Sequence, residues 1–219
     1  MISKTLKLLN LKPEEKEKTM ADLKKICEGC MMCELGKTRN MLVFGSGNPN
    51  ADIVLVGEAP GADEDASGVP FVGRAGKLLT QIIEKAGLDR NKDIFIINTV
   101  KCRPPENRVP TDFEKNLCED YLLSQISIVN PKVIILCGAT ACQTFFNKNF
   151  WKNNKISDIR GDFFESQGIQ FVPVFHPSYL LRQHSEDENA PRSLTLNDFL
   201  NIKNYVKNLN TFDNGKIQI

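Results

Sequence analysis

The 219-residue chain has no apolar run long enough to cross a bilayer, and its start, MISKTLKLLNLKPEEKEK, has no continuous apolar h-region. No membrane association is expected, and the expected address is the cytoplasm. A strong charge imbalance is also missing: 28 Lys and Arg against 27 Asp and Glu leave a formal net charge of +1. Any surface for nucleic acid therefore has to be local. There is no low-complexity tract and no repeat at solenoid periods. No G-x-G-x-x-G is present and no G-K-[ST] completes a phosphate loop, which argues against a nucleotide-binding enzyme of those types. Histidine is scarce: His176 and His184 are the only two, and His184 sits in a polar stretch that reads as exposed.

Against these absences stand seven cysteines. Cys30-x2-Cys33 lies near the N-terminus and Cys102 and Cys118 lie far downstream, a spacing that suits neither a disulfide framework nor a zinc ribbon and asks for a soft metal centre closing a long loop. In a reducing compartment clustered cysteines bind metal or do chemistry more often than they form disulfides. Cys27 extends the first pair to C-x2-C-x2-C, so spacing alone leaves the choice among these three open. Cys137 and Cys142 occupy apolar surroundings and read as core.

An apolar fraction of 41% supplies one full core. The periodicities predict a single α/β domain over residues 1–219, with its core at about 28–207 and a frayed tail over 208–219. Pro13 to Cys27 reads as a helix with Pro at N1. Ile53–Val56, Ile94–Ile97, Val133–Leu136 and Phe171–Val174 read as four buried strands, the last at an edge because of Pro173. Ala75–Ala86 has helical spacing with Gly87 as a stop, and Thr111-x-x-Glu114 opens a helix that ends at Asn130-Pro131. Further helices are expected over Ala139–Phe146 and Leu196–Val206. Strands alternating with helices predict a three-layer α/β/α sandwich around a mostly parallel four-stranded sheet. In such sheets ligands bind beyond the carboxyl ends of the strands, here at Gly57-Glu58, Asn98, Gly138 and Phe175-His176.

Three segments at those ends carry the chemistry. Gly57 to Gly76 holds five glycines and two prolines, which suits a binding loop; Phe71 within it either offers a flat face to a ligand or plugs the core. Asn98 is a turn former or a reader of a base edge, since an amide matches the O4 and N3–H of uracil and mismatches cytosine. After it Lys101, Arg103 and Arg108 form a small basic patch suited to phosphates, or an ordinary solvated surface. His176, held by Pro177, is structural or catalytic, and Tyr179, Leu180 and Leu181 beside Arg182 either wedge into a base stack or pack underneath.

Taken together, Gly57-Glu-Ala-Pro-Gly61, Gly68-Val-Pro-Phe-Val-Gly-Arg-Ala-Gly76, Asn98-Thr-Val-Lys-Cys-Arg-Pro-Pro105 with Asn107-Arg108, and His176-Pro-Ser-Tyr-Leu-Leu-Arg182 resemble the iron-sulfur, or family 4, uracil-DNA glycosylases. The resemblance spans about Cys30 to Arg182. It implies a [4Fe-4S] cluster on Cys30, Cys33, Cys102 and Cys118, tying down the N-terminal helix. The first pair is chosen by Arg39-Asn40, six residues past Cys33, where the family has a basic turn; this leaves Cys27 as an extra thiol. Zinc is the alternative metal for four thiolates.

The same resemblance implies a monomeric repair enzyme that hydrolyses the N-glycosidic bond of deoxyuridine in single- or double-stranded DNA, starting base excision repair. Phe71 would stack on the flipped base, Asn98 would read its pairing edge, Glu58 and Ala59 would line the pocket, and His176 would donate to the uracil O2. Leu180 would hold the gap open, with Lys101, Arg103, Arg108, Tyr179 and Arg182 on the DNA. The chain has Ala59 and Gly61 where the best-known uracil-DNA glycosylases carry the Asp and Tyr of G-Q-D-P-Y. The water could therefore be oriented by Glu58 or by Asn98, and exclusion of thymine falls to Glu64. The Lys101–Arg108 loop lacks the histidine with which some cluster-containing relatives trap the sugar, so free turnover is expected. A cluster-bearing nucleic-acid-binding protein without glycosylase activity is the alternative.

Overall fold

The computed structural model describes residues 1–183, 185 and 187–213. Its centre is one six-stranded sheet: β1 (Ser46–Gly47), β2 (Ile53–Gly57), β3 (Ile94–Asn98), β4 (Val133–Cys137), β5 (Phe164–Ser166) and β6 (Ile169–Val174), in the order β1-β3-β2-β4-β6-β5. The four strands read from the sequence are the parallel interior, β3-β2-β4-β6. Two short antiparallel strands cover its edges. Those edges were not legible because a two-residue strand and a three-residue strand, neither of them fully buried, have no periodicity of their own.

The edge position expected for Pro173 is corrected: β6 lies between β4 and β5. Its pairing with β5 covers only Ile169, Gln170 and Phe171. Pro173 lies beyond that ladder, so its missing N–H interrupts nothing.

Ten helices are described: α1 (Pro13–Glu28), α2 (Glu34–Thr38), α3 (Ala62–Ser67), α4 (Arg74–Lys85), α5 (Asp112–Val129), α6 (Ala139–Phe145), α7 (Lys148–Lys152), α8 (Ile156–Ile159), α9 (Pro177–Leu180) and α10 (Pro191–Asp213). Both capping inferences on α5 hold. Thr111 Oγ1 accepts from Glu114 N at 3.2 Å while Glu114 accepts from Thr111 N at 2.8 Å, and Asn130 ends the helix in the left-handed region with φ 49°. Gly87, with φ 73°, stops α4 in the same way.

Successive side chains of a strand point to opposite faces, so the buried sheet feeds two cores. Val54, Val56, Phe95, Ile97, Ile134 and Leu136 pack with residues of α1, α5 and α6. Ile53, Leu55, Ile94, Ile96, Val133 and Ile135 pack with Leu79, Ile82 and Ile83 of α4 and with Phe199 and Ile202 of α10. This is the three-layer sandwich.

Cys137 and Cys142 are fully buried, as expected of core residues. Residues 208–213 of the tail continue α10. The rest of the tail, and His184, lie outside the described residues.

Candidate active site

β2 and β4 are neighbours, but the chain leaves β2 towards β3 on one side and β4 towards β6 on the other. Their carboxyl ends therefore flank the topological switch point, where doubly wound sheets open a crevice. A cavity of about 340 Å³ opens there, lined among others by Glu58, Ala59, Glu64, Phe71, Asn98 and His176. These are the six residues the sequence nominates for base binding, and all six meet. A larger groove, about 850 Å³, lies at the opposite strand end around Asp52, Lys92 and Lys203; it is lined by no histidine and no aromatic ring.

Each wall follows from local chemistry. Phe71 is nearly buried and sits at φ 53°, a left-handed conformation that a bulky residue adopts only when its surroundings hold it. Arg90 supplies that hold by donating to the Phe71 carbonyl at 2.7 Å and to the Pro70 carbonyl. Two glycines make the space: a Cβ on Gly76 would lie 2.0 Å from the Phe71 carbonyl carbon, and one on Gly57 would lie 2.4 Å from both Phe71 Cζ and Asn98 Oδ1. The ring packs in the α4-side core, as one of the two readings expected, and it also lines the cavity.

Glu64 borders the cavity, but its carboxylate closes the glycine-rich loop, accepting from Gly61 N at 3.0 Å and from Val72 N and Gly73 N at 2.9 Å each. The loop also contains α3, which its glycine content concealed.

Asn98 ends β3 and is only 2% exposed, and its Oδ1 is a buried acceptor with no partner among the described residues. Such an orphan costs about 1–3 kcal/mol unless a ligand pairs it. His176 caps α9: its Nδ1 accepts from Ser178 N at 3.2 Å and lies 2.8 Å from Ser178 Oγ. A main-chain N–H only donates, so the neutral ring carries its proton on Nε2. Burial pushes the imidazole below its ordinary 6.5, opposed by the charges of Glu58 and Glu64. The Phe71 and His176 ring centroids are 6.0 Å apart. Glu58 accepts a hydrogen bond at Oε2 from Thr140 Oγ1, while its main-chain carbonyl accepts from Thr99 Oγ1 at 2.5 Å. Ser178 and Thr140 are the supporting residues that the sequence reading missed. The first carries a weak signal, a hydroxyl two residues after the histidine; the second carries none, being 82 positions from Glu58.

A second site lies behind β3. Cys27, Cys30, Cys33, Cys102 and Cys118 line one small cavity with Arg39, Leu42, Lys101 and Leu117. Burial raises the Cys118 thiol to about 11 and the Cys27 thiol to about 12, and a coordinating metal would deprotonate such thiols outright. Arg39 Nη1 donates to Cys102 Sγ at 3.1 Å and Nη2 to the Glu28 carbonyl at 2.6 Å, joining the end of α1 to the Cys102 loop. Among the described residues no group of three or more His, Cys, Asp or Glu side chains is placed to hold a metal ion. Thiols beside the Lys101 ammonium and the Arg39 guanidinium are the donor set of a soft, thiolate-bound metal centre, whose negative charge those cations would offset.

Two surface assignments are corrected. Lys101 is 1% exposed and its Nζ donates to the Asn98 carbonyl at 2.7 Å. The ammonium is turned inward towards the cysteines, whose charges oppose the depression of its pKa to about 8 by burial. It offers nothing to a phosphate. Leu180 is fully buried in the α4-side core, because α9 turns it inward. It holds no exposed wedge position; half-buried Leu181 and exposed Arg182 follow it. Arg103 hydrogen-bonds Asn107 at 2.8 Å, and Arg108 lines the cavity while paired in two hydrogen bonds with Glu114. Tyr179 is half-buried against Phe175.

A free amide acceptor, an imidazole, a carboxylate and an aromatic ring around one cavity at the switch point are the ligand cleft of a doubly wound α/β enzyme. Comparison with known proteins gives that class a family. A model of the uracil DNA glycosylase superfamily matches residues 44–200. A type-4 uracil-DNA glycosylase of Thermotoga maritima is 42% identical over 193 residues, covering 88% of this chain and 97% of that one. Those of Archaeoglobus fulgidus and Saccharolobus solfataricus are 41% and 42% identical, over 74% and 80% of this chain and 83% and 80% of theirs. The chain belongs to the uracil-DNA glycosylase superfamily, on its type-4 branch.

Proposed function

We propose that this protein excises uracil from DNA, hydrolysing the N-glycosidic bond of deoxyuridine to give free uracil and an abasic site. The observation that carries the proposal is the orphaned Asn98 Oδ1. Uracil presents N3–H to it and O4 to the amide N–H, whereas cytosine presents a bare N3 and an amine, leaving both partners unpaired. The base leaves the stack, at a cost of a few kcal/mol, and Phe71 offers its face to the ring. As the C1′–N1 bond breaks, its electron pair moves onto the uracil ring and O2, to which His176 Nε2–H donates. Glu58 orients the water whose oxygen bonds to C1′ and whose proton leaves to the carboxylate. Arg103, Arg108, Tyr179 and Arg182 contact the DNA at the rim, and Leu181 is the apolar residue beside Arg182 left accessible for the gap. We further propose that Cys30, Cys33, Cys102 and Cys118 hold a [4Fe-4S] cluster, which pins α1 and the Cys102 loop and takes no part in bond cleavage.

The test is an oligonucleotide with one deoxyuridine, incubated with the protein and then treated with alkali. Strand scission at that position, in single strands and duplexes and through many turnovers without a covalent adduct, is expected. Intact strands after incubation with folded, iron-loaded protein would overturn the reading.

A further inference from the structure

Glu58 lies at the end of β2, and nothing in its own segment decides where its carboxylate points. Its main chain is held from the β3 side: Thr99 Oγ1 donates to the Glu58 carbonyl at 2.5 Å and Thr99 N to the Gly57 carbonyl at 3.0 Å. The side chain is held from the other side of the switch point. Thr140, 5% exposed in the first turn of α6, directs its one hydroxyl proton at Glu58 Oε2. Thr140 is itself fixed, since α6 follows β4 directly and the Thr140 carbonyl accepts from Thr144 Oγ1 at 2.9 Å. Glu58 Oε1 has no hydrogen bond among the described residues, and Glu58 is one of the residues that line the cavity. Gly138, two residues before Thr140, approaches His176 so closely that a Cβ there would lie 2.9 Å from the His176 Cβ. One tight turn after β4 thus sets both the imidazole and the carboxylate.

We infer that Thr140 is a positioning residue for the hydrolytic step, holding Glu58 so that Oε1 faces the attacking water. This rests on the uracil-excision reading. In the step, the water oxygen forms its bond to C1′ as C1′–N1 breaks and the bond's electron pair goes to uracil. The water proton goes to Oε1, and the uracil anion is protonated from solvent after release. Thr140 contributes no proton; its hydroxyl occupies Oε2 and limits the rotation of the carboxylate, which removes misdirected geometries.

Single-turnover rates on saturating deoxyuridine oligonucleotide test this in Thr140→Val, Thr140→Ser, Glu58→Gln and the Thr140→Val/Glu58→Gln double variant, with thermal melting as the check on folding. Thr140→Val keeps the shape and removes the donor, and is expected to slow cleavage by about tenfold or more with DNA affinity unchanged. Thr140→Ser restores most of the rate. In the Glu58→Gln background the valine adds no further loss, because the two residues act as a unit. Should Thr140→Val not fold, Thr140→Ala takes its place with the same expectations. A folded variant with the wild-type rate, or a valine effect that multiplies with that of Glu58→Gln, overturns the inference. Wild-type protein that leaves deoxyuridine intact overturns the functional reading instead, and that outcome is read before any variant is made.

Discussion

Asn98 and His176 make opposite demands of their surroundings. The amide needs a partner that the protein withholds, and the imidazole needs its proton kept on one nitrogen. Asn98→Ala removes both contacts to the base edge and is expected to lower single-turnover uracil excision by about 100-fold or more, while circular dichroism stays native. His176→Ala removes the donor to O2 and is expected to cost about 10²–10³ in rate. The pH dependence follows from burial, which holds the imidazole below 6.5. The neutral Nε2–H form is therefore fully present above pH 6.5 and is lost as pH falls through the folded value, so the acid limb due to His176 lies below 6.5. Rate against pH for wild type and His176→Ala checks this: the limb disappears in the variant. Both residues were legible in the sequence because each stands at the end of a strand inside a distinctive motif. What the motif did not carry was the role of Lys101 three residues on, whose charge reads as surface until the ammonium is found against the Asn98 carbonyl.

At the level of elements, Glu114 does two jobs at the start of α5. It closes the capping box with Thr111 and pairs with Arg108 through both carboxylate oxygens, at 2.7 and 2.8 Å. The Arg108 hydrogen bond, with the Thr111 N–H, holds its pKa at about 2, against an ordinary 4.5 and against burial. A depressed carboxylate contributes stability that is present above pH 4.5 and lost as pH falls towards 2. Glu114→Gln is therefore expected to flatten the fall in stability across that window, measured by urea unfolding at stepped pH. Gly76 is the equivalent point on α4. Gly76→Ala puts a methyl group 2.0 Å from the Phe71 carbonyl carbon, so it is expected to displace the ring and lower both the melting temperature and uracil excision. The capping box could be read directly, because its partners are three residues apart. The closeness of Gly76 to Phe71 could not, because four residues that pass from loop into α4 separate them and only the fold returns one onto the other.

Across the whole molecule the cysteine site and the cavity share one segment, Asn98 to Cys102, with Asn98 on the cavity and Lys101 and Cys102 on the thiol side. Cys102→Ser and Cys118→Ser are expected to lose bound iron and visible absorption and to melt at lower temperature, whereas Cys27→Ser keeps the iron. Metal analysis and absorption spectra of the purified variants check this. The sequence by itself determined the four interior strands, the caps of α5 and six residues that line the cavity, because apolar periodicity, turn chemistry and strand ends are written within a few neighbouring residues. It also determined which thiols were available to a metal. Only the tertiary structure decided that Lys101 and Leu180 turn inward, that β1 and β5 close the sheet, and that Thr140 meets Glu58 across 82 positions. Each of these depends on contacts between distant parts of the chain, whose register is set by the packing of the whole sheet and by no local preference.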